Sequence, residues 1–123
     1  MDLFGYNTDD CFDYENAFHI TSDITRLGKI IVHYELYKMT KELPGHILEF
    51  GVFKGISLIK WLTLRELFEN PYSRKIIGFD IFGKFPETNF EEDKVAREKF
   101  IESAGEMCIT VSELEKIMNY KNN

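Results

Sequence analysis

The sequence predicts an α/β fold organised around one parallel βαβ unit, and three observations carry that expectation. His46 to Phe50 reads as a short strand apolar on both sides, as at the centre of a parallel sheet. Glu49-Phe50-Gly51-Val52-Phe53-Lys54-Gly55 follows it as a glycine turn. Ile76-Ile77-Gly78-Phe79-Asp80 is a second apolar run, closed by an acid. Between them, Leu58, Trp61, Leu62, Leu64 and Phe68 share one helical side, with Lys60, Thr63 and Glu66 on the other. Strand, turn, helix and strand from His46 to Asp80 have the length and order of a right-handed βαβ unit.

The remaining elements follow in chain order. Residues 1–21 mix acids with Phe4, Tyr6, Phe12, Tyr14 and Phe18 and read as an arm or lid, with a frayed acidic tail as the competing reading. From Ser22 to Leu43, Ile24, Leu27, Ile31, Tyr34 and either Tyr37 or Met39 recur at helical spacing, so a long amphipathic helix is expected there. Leu43-Pro44-Gly45 stops it, because proline disfavours helical geometry in the preceding residue. The second helix spans Ser57 to Glu69, Asn70-Pro71-Tyr72-Ser73 is a return loop, and the second strand runs from Lys75 to Phe79. Past the aromatic loop Ile81 to Glu87, Asn89 with Glu92 forms an N-cap pair for a third helix to Ala104. Gly105 ends it, and Thr110 with Glu113 opens a short helix through about Met118. The polar Asn119 to Asn123 reads as a connection to something further, and there is no internal repeat.

Bulk properties narrow the functional classes. The chain of 123 residues fits one globular domain at most. Its formal charge is −6, and residues 1–23 hold six acids and no Lys or Arg, leaving a neutral body. Without a basic stripe there is no footprint for nucleic acid. The start lacks the basic leader and apolar core of a secretory signal, no run approaches a membrane span, and a cytoplasmic location is expected. Cys11 and Cys108 lack metal-ligand spacing and read as free thiols.

The chemistry expected at the βαβ unit rests on four residues. A Cβ at Gly51 or Gly55 would hold the backbone away from a ligand or force an unfavourable turn, and the helix starting nearby aims N–H groups at an anion. Glu49 is placed to accept from a ligand ammonium or from the turn N–H groups. Asp80 has two oxygens for two ribose hydroxyls. Both acids close strands at the carboxyl edge, where open α/β sheets bind ligands such as adenosine-bearing cofactors. The spacing departs from the GxGxxG of nicotinamide enzymes. His19, His33 and His46 are scattered and none is nominated, so the catalytic residue is unknown; Trp61 reads as core.

These residues sit within a longer similarity. Tyr14 to Phe18, Arg26-Leu27-Gly28-Lys29, His33 to Tyr37, Leu43-Pro44-Gly45, Glu49 to Gly55, Gly78-Phe79-Asp80 and Phe82-Gly83-Lys84-Phe85-Pro86 resemble the small class I S-adenosylmethionine-dependent sugar O-methyltransferases that act on macrolide and nucleotide-linked deoxysugars. The resemblance implies a partial Rossmann-like, class I methyltransferase three-layer fold. It also implies methyl transfer to a sugar hydroxyl, with Glu49, Gly51, Gly55 and Asp80 at the cofactor and Ser57 and Phe82 as further contacts. Full-length relatives of this kind bind magnesium through Asp residues on later strands, for which this chain has no matching segment; Glu91-Glu92-Asp93 reads as a helix start.

The resulting expectation is an acidic aromatic arm, 1–21, followed by an incomplete methyltransferase domain, 22–123: the amino-terminal, cofactor-binding half, inactive alone. A two-stranded sheet of this sort leaves an edge and apolar surface exposed, which favours self-association. The alternatives are a non-catalytic remnant or interaction module pairing through the 22–43 helix, and a nicotinamide-binding fragment, the latter disfavoured by the missing GxGxxG.

Overall fold

A computed structural model describes residues 1–122; Asn123, the end of the expected polar connection, lies outside the described residues. The described residues form a mixed α/β protein of five α-helices and two small two-stranded sheets. The arm is more structured than either reading of it. Strands β1 (Asp2–Leu3) and β2 (Tyr6–Asn7) form an antiparallel hairpin. A 3₁₀ turn and helix α1 (Cys11–Thr21) follow. The hairpin turns on Phe4 and Gly5, both at positive φ (55° and 85°). Asn7 accepts from the Asp9 N–H to start the 3₁₀ turn. Phe4 packs against the core, whereas α1 buries none of its residues.

Helix α2 (Ile24–Thr40) begins where Asp23 accepts from the N–H groups of Thr25 and Arg26, at 2.9 and 3.2 Å. Of the two candidates for its last core position, Tyr37 is buried and Met39 is exposed. The helix end is held by Arg74. Its guanidinium donates to the Thr40 and Lys41 carbonyls, both at 3.1 Å, and binds the Glu69 carboxylate through Nε and Nη2. Tyr37 donates its hydroxyl to the same carboxylate, and burial together with that anion raises the Tyr37 pKa.

Strands β3 (Ile47–Phe50) and β4 (Ile76–Phe79) pair in parallel, Ile47 opposite Ile76 through Phe50 opposite Phe79, with α3 (Ile56–Phe68) as the crossover. Opposed residues of a parallel pair share a face. A Cβ on Gly78 would stand 2.8 Å from Val52 Cγ2 and 3.1 Å from Leu58 Cδ2, so this glycine lets α3 approach, and Glu49, opposite it, lies on the same helix-covered side. The other side carries Leu48, Phe50 and Phe79, all exposed, with the Phe50 and Phe79 rings stacked at 5.0 Å. The sheet therefore has one covered face and one bare apolar face. The strand is apolar on its bare side but not buried there, in line with the exposed apolar surface expected of a two-stranded sheet.

Helix α4 (Glu91–Ala104) starts one residue after Phe90 rather than from an Asn89–Glu92 pair; Thr88 Oγ1 accepts from the Phe90 N–H instead. At α5 (Val111–Asn122), Thr110 Oγ1 accepts from the Glu113 N–H as expected, and the helix runs past Met118. Between these helices the 106–109 segment lies across the loops that leave both strands. Its bonds run from Phe85 N–H to the Glu106 carbonyl, Cys108 N–H to Gly83 and Ile109 N–H to Phe53. Ile109, fully buried, then joins Val52, Leu58 and Leu114 in the core. Both cysteines are free, Cys11 exposed and Cys108 buried. Among the described residues no helix is long and apolar enough to cross a membrane.

Candidate functional site

The chemistry-bearing residues gather where β3 and β4 end. Gly51 leaves β3 at φ 90°, its N–H still bonded to the Phe79 carbonyl at 2.8 Å, and a Cβ there would meet nothing within 4 Å. The turn next places Phe53 in the left-handed region at φ 51°, and Gly55 at φ 83° caps α3 without any side-chain hydrogen bond. Gly55 differs from Gly51 in what surrounds it. A Cβ on Gly55 would come to 3.2 Å from Leu114 Cδ1, so the close approach it permits is with α5.

Asp80 joins the two strand ends directly. Oδ2 accepts from the N–H groups of Val52 and Phe53 at 2.7 and 2.8 Å; Oδ1 accepts from Ile81 at 2.6 Å and Phe82 at 3.4 Å. Burial pushes this carboxyl up, but the four N–H donors outweigh it and hold the group below the usual carboxylate range. Two of those donors, Phe53 and Phe82, have positive φ (51° and 53°), a conformation that costs a non-glycine residue about 1 kcal/mol or more. Asp80 is thus a clamp on two strained turns, bonded to the two residues that follow Gly51 and not to Gly51 itself. The Phe82 side chain packs on the core.

Glu49 takes no part in that clamp. The turn N–H groups of Val52 and Phe53 go to Asp80, so of the two roles expected for Glu49 only contact with an outside donor is left open. Its Oε2 is buried with no hydrogen-bond partner. Burial raises its pKa, with the Trp61 indole acting in the opposite direction. Among the described residues no group of three His, Cys, Asp or Glu could hold a metal ion. Two of the three histidines, His33 and His46, are occupied structurally. His33 Nδ1 meets the Lys29 carbonyl at 2.6 Å and its ring lies 4.6 Å from that of Trp61, while His46 Nδ1 accepts from the Lys75 N–H at 3.0 Å.

In front of the Gly51 turn lies a cavity of about 370 Å³ walled by Arg26 and Lys29 of α2, residues 51–54 of the turn, and Ile56, Ser57 and Lys60 of α3. Gly51 and Ser57 are thereby brought together. Lys60, placed by periodicity on the side of its helix away from Leu58 and Leu62, stands half-buried in this wall. The three cations were the signal missed in the sequence: Arg26 and Lys29 are one helical turn apart, and Lys60 follows the glycine turn by five residues. No protein-family model, curated protein or solved structure matches the chain.

Proposed function

We propose that this chain is the cofactor-binding part of an S-adenosylmethionine-dependent O-methyltransferase with a class I, Rossmann-like sheet, acting on a sugar or nucleotide-sugar hydroxyl and inactive by itself. The observation that carries the reading is the meeting of the Gly51 turn and Asp80 at the carboxyl ends of two adjacent parallel strands, the edge at which open α/β sheets bind ligands. Glu49 supports it with an unpartnered carboxylate oxygen on the same strand, suited to the cofactor's ammonium group. Gly51, open on the side where a Cβ would stand, lets a ligand come against the backbone, and Ser57 lies on the first turn of α3. The bare face of Leu48, Phe50 and Phe79 is where further structure or a second copy would pack.

Calorimetric titration with S-adenosylmethionine and S-adenosylhomocysteine tests this. Wild type is expected to bind both, and Glu49→Gln, which keeps the side-chain size, is expected to bind at least about tenfold more weakly through loss of a charge-assisted bond. Absence of heat from folded wild type overturns the reading. It would favour a second one, a non-catalytic module pairing through α2, whose Ile24, Ile31 and Met39 are exposed by 86%, 62% and 73%.

A further inference from the structure

The cavity before the Gly51 turn holds a concentration of positive charge that methyl transfer does not require. Arg26 and Lys29 enter it from α2, Lys60 from α3, and Lys54 from the turn, while no acidic side chain belongs to its wall. Lys54 is partly committed, donating to the Met107 carbonyl at 2.7 Å. Among the described residues, Arg26, Lys29 and Lys60 make no ion pair and no side-chain hydrogen bond, in contrast to the pairs Arg65–Glu66, Arg74–Glu69, Lys94–Glu91 and Arg97–Glu106. Asp23, whose charge feels that of Arg26, is occupied in capping α2.

We propose that this cavity is a binding site for a multivalent phosphate group, with Arg26, Lys29 and Lys60 as its ligands. Three unneutralised cations facing one hollow repel one another, and a chain of net charge −6 has no general excess of base to explain them. Burial, and then the charges of Lys29 and Arg26, hold the Lys60 ammonium below its ordinary value, so charge is already costly there and an anion would relieve it. The first turn of α3 opens on the same hollow, and its cap, Gly55, supplies no side-chain acceptor for the free N–H groups. A carboxylate brings one negative charge to three positive ones; a diphosphate brings two or three, with oxygens enough for both helices. The site shares Gly51 and Ser57 with the methyl-donor reading but not Glu49 or Asp80, so the two can be told apart.

The test is calorimetric titration of the full chain with sodium pyrophosphate and with inorganic phosphate at constant ionic strength, run beside the S-adenosylmethionine titration. Expected is saturable one-to-one binding of pyrophosphate, tighter than phosphate and weakened at least about tenfold in Lys29→Gln and in Lys60→Gln, as loss of a charge-assisted bond predicts. Lys116→Gln, on the exposed surface of α5, is expected to bind like wild type. No saturable binding, unchanged affinity in both cavity variants, or an equal loss in Lys116→Gln overturns the site. Pyrophosphate binding without S-adenosylmethionine binding would sustain this inference and sink the methyl-donor reading; the converse would do the opposite.

Discussion

Asp80→Ala removes one acceptor group on which four backbone donors converge, and the cost can be worked donor by donor. The Val52 and Phe53 N–H groups, bonded at 2.7 and 2.8 Å, belong to a buried and a half-buried residue, and each charge-assisted bond is worth about 1.5 kcal/mol at the low end of its range. Ile81 is exposed and its N–H returns to water at little cost, while the Phe82 bond is long at 3.4 Å. The sum is about 3 kcal/mol, part of which relaxation of the left-handed Phe53 and Phe82 would return. Urea unfolding followed by Trp61 fluorescence would then show a midpoint lower by about 1.5 M, for a slope near 2 kcal/mol/M. Asp80→Asn, which keeps one acceptor oxygen, should fall between. Because the native carboxyl titrates below its unfolded value, its contribution is present above the unfolded pKa and is lost as pH falls through the native one. The gap between wild type and Asp80→Asn should therefore close in acid. A loss under about 0.5 kcal/mol in Asp80→Ala, the size of an ordinary surface substitution, would refute the clamp.

Arg74→Ala leaves the Glu69 carboxylate and the α2 carbonyls of Thr40 and Lys41 without their donor, and should cost about 3 to 5 kcal/mol by chemical denaturation, as breaking one side of a buried pair does. Glu49 has the opposite pH signature to Asp80: its native pKa is raised, so stability falls as pH climbs from the ordinary carboxylate value through the raised one. Glu49→Gln should remove that decline, which a series of melting curves from pH 4 to 8 would detect. Phe50→Ser, on the bare sheet face where Phe50 is 76% exposed, should reduce concentration-dependent association in sedimentation velocity without lowering the melting temperature.

The parallel pair was legible because its signals are local and agree: strand β3 starts one residue after the expected His46, β4 one residue after Lys75, and α3 lies within one residue of its expected span. Helix α2 was legible in its body, but its ends were drawn in by the Asp23 cap and by the turn after Thr40. The hairpin was not legible. Its reversal uses Phe4 in the left-handed region, where the usual turn signal is Asn or Asp before glycine. The α4 start failed for a related reason, since Asn89 matched a capping pattern while the hydroxyl of Thr88 made the bond. At the site, the convergence of Asp80 with the glycine turn follows from strand order alone. Its occupation by four backbone donors does not, because it depends on Phe53 and Phe82 adopting positive φ. The partial burial of Lys60 was not legible, because the periodicity of α3 marks which side faces the sheet and is silent about α2 packing across the other.

The clamp also constrains how a ligand could use Asp80. An ionised carboxylate offers about four lone-pair sites, and here four N–H groups approach them. A ribose hydroxyl must therefore replace a backbone donor. On Oδ2 that would strip Val52 and Phe53, the well-aligned pair within the turn, at a cost of several kcal/mol. On Oδ1 it would displace the long Phe82 bond or release the N–H of exposed Ile81 to water, at a fraction of that. A bound ribose would thus engage Asp80 through Oδ1, on the side of the 81–82 loop, whereas the Arg26, Lys29 and Lys60 cavity is walled by the 51–54 turn and does not include Asp80. Two ligand groups could then address one glycine turn without competing for Asp80. Pyrophosphate in the cavity should leave S-adenosylmethionine affinity within about twofold, and mutually exclusive binding would mean that the two hollows are one.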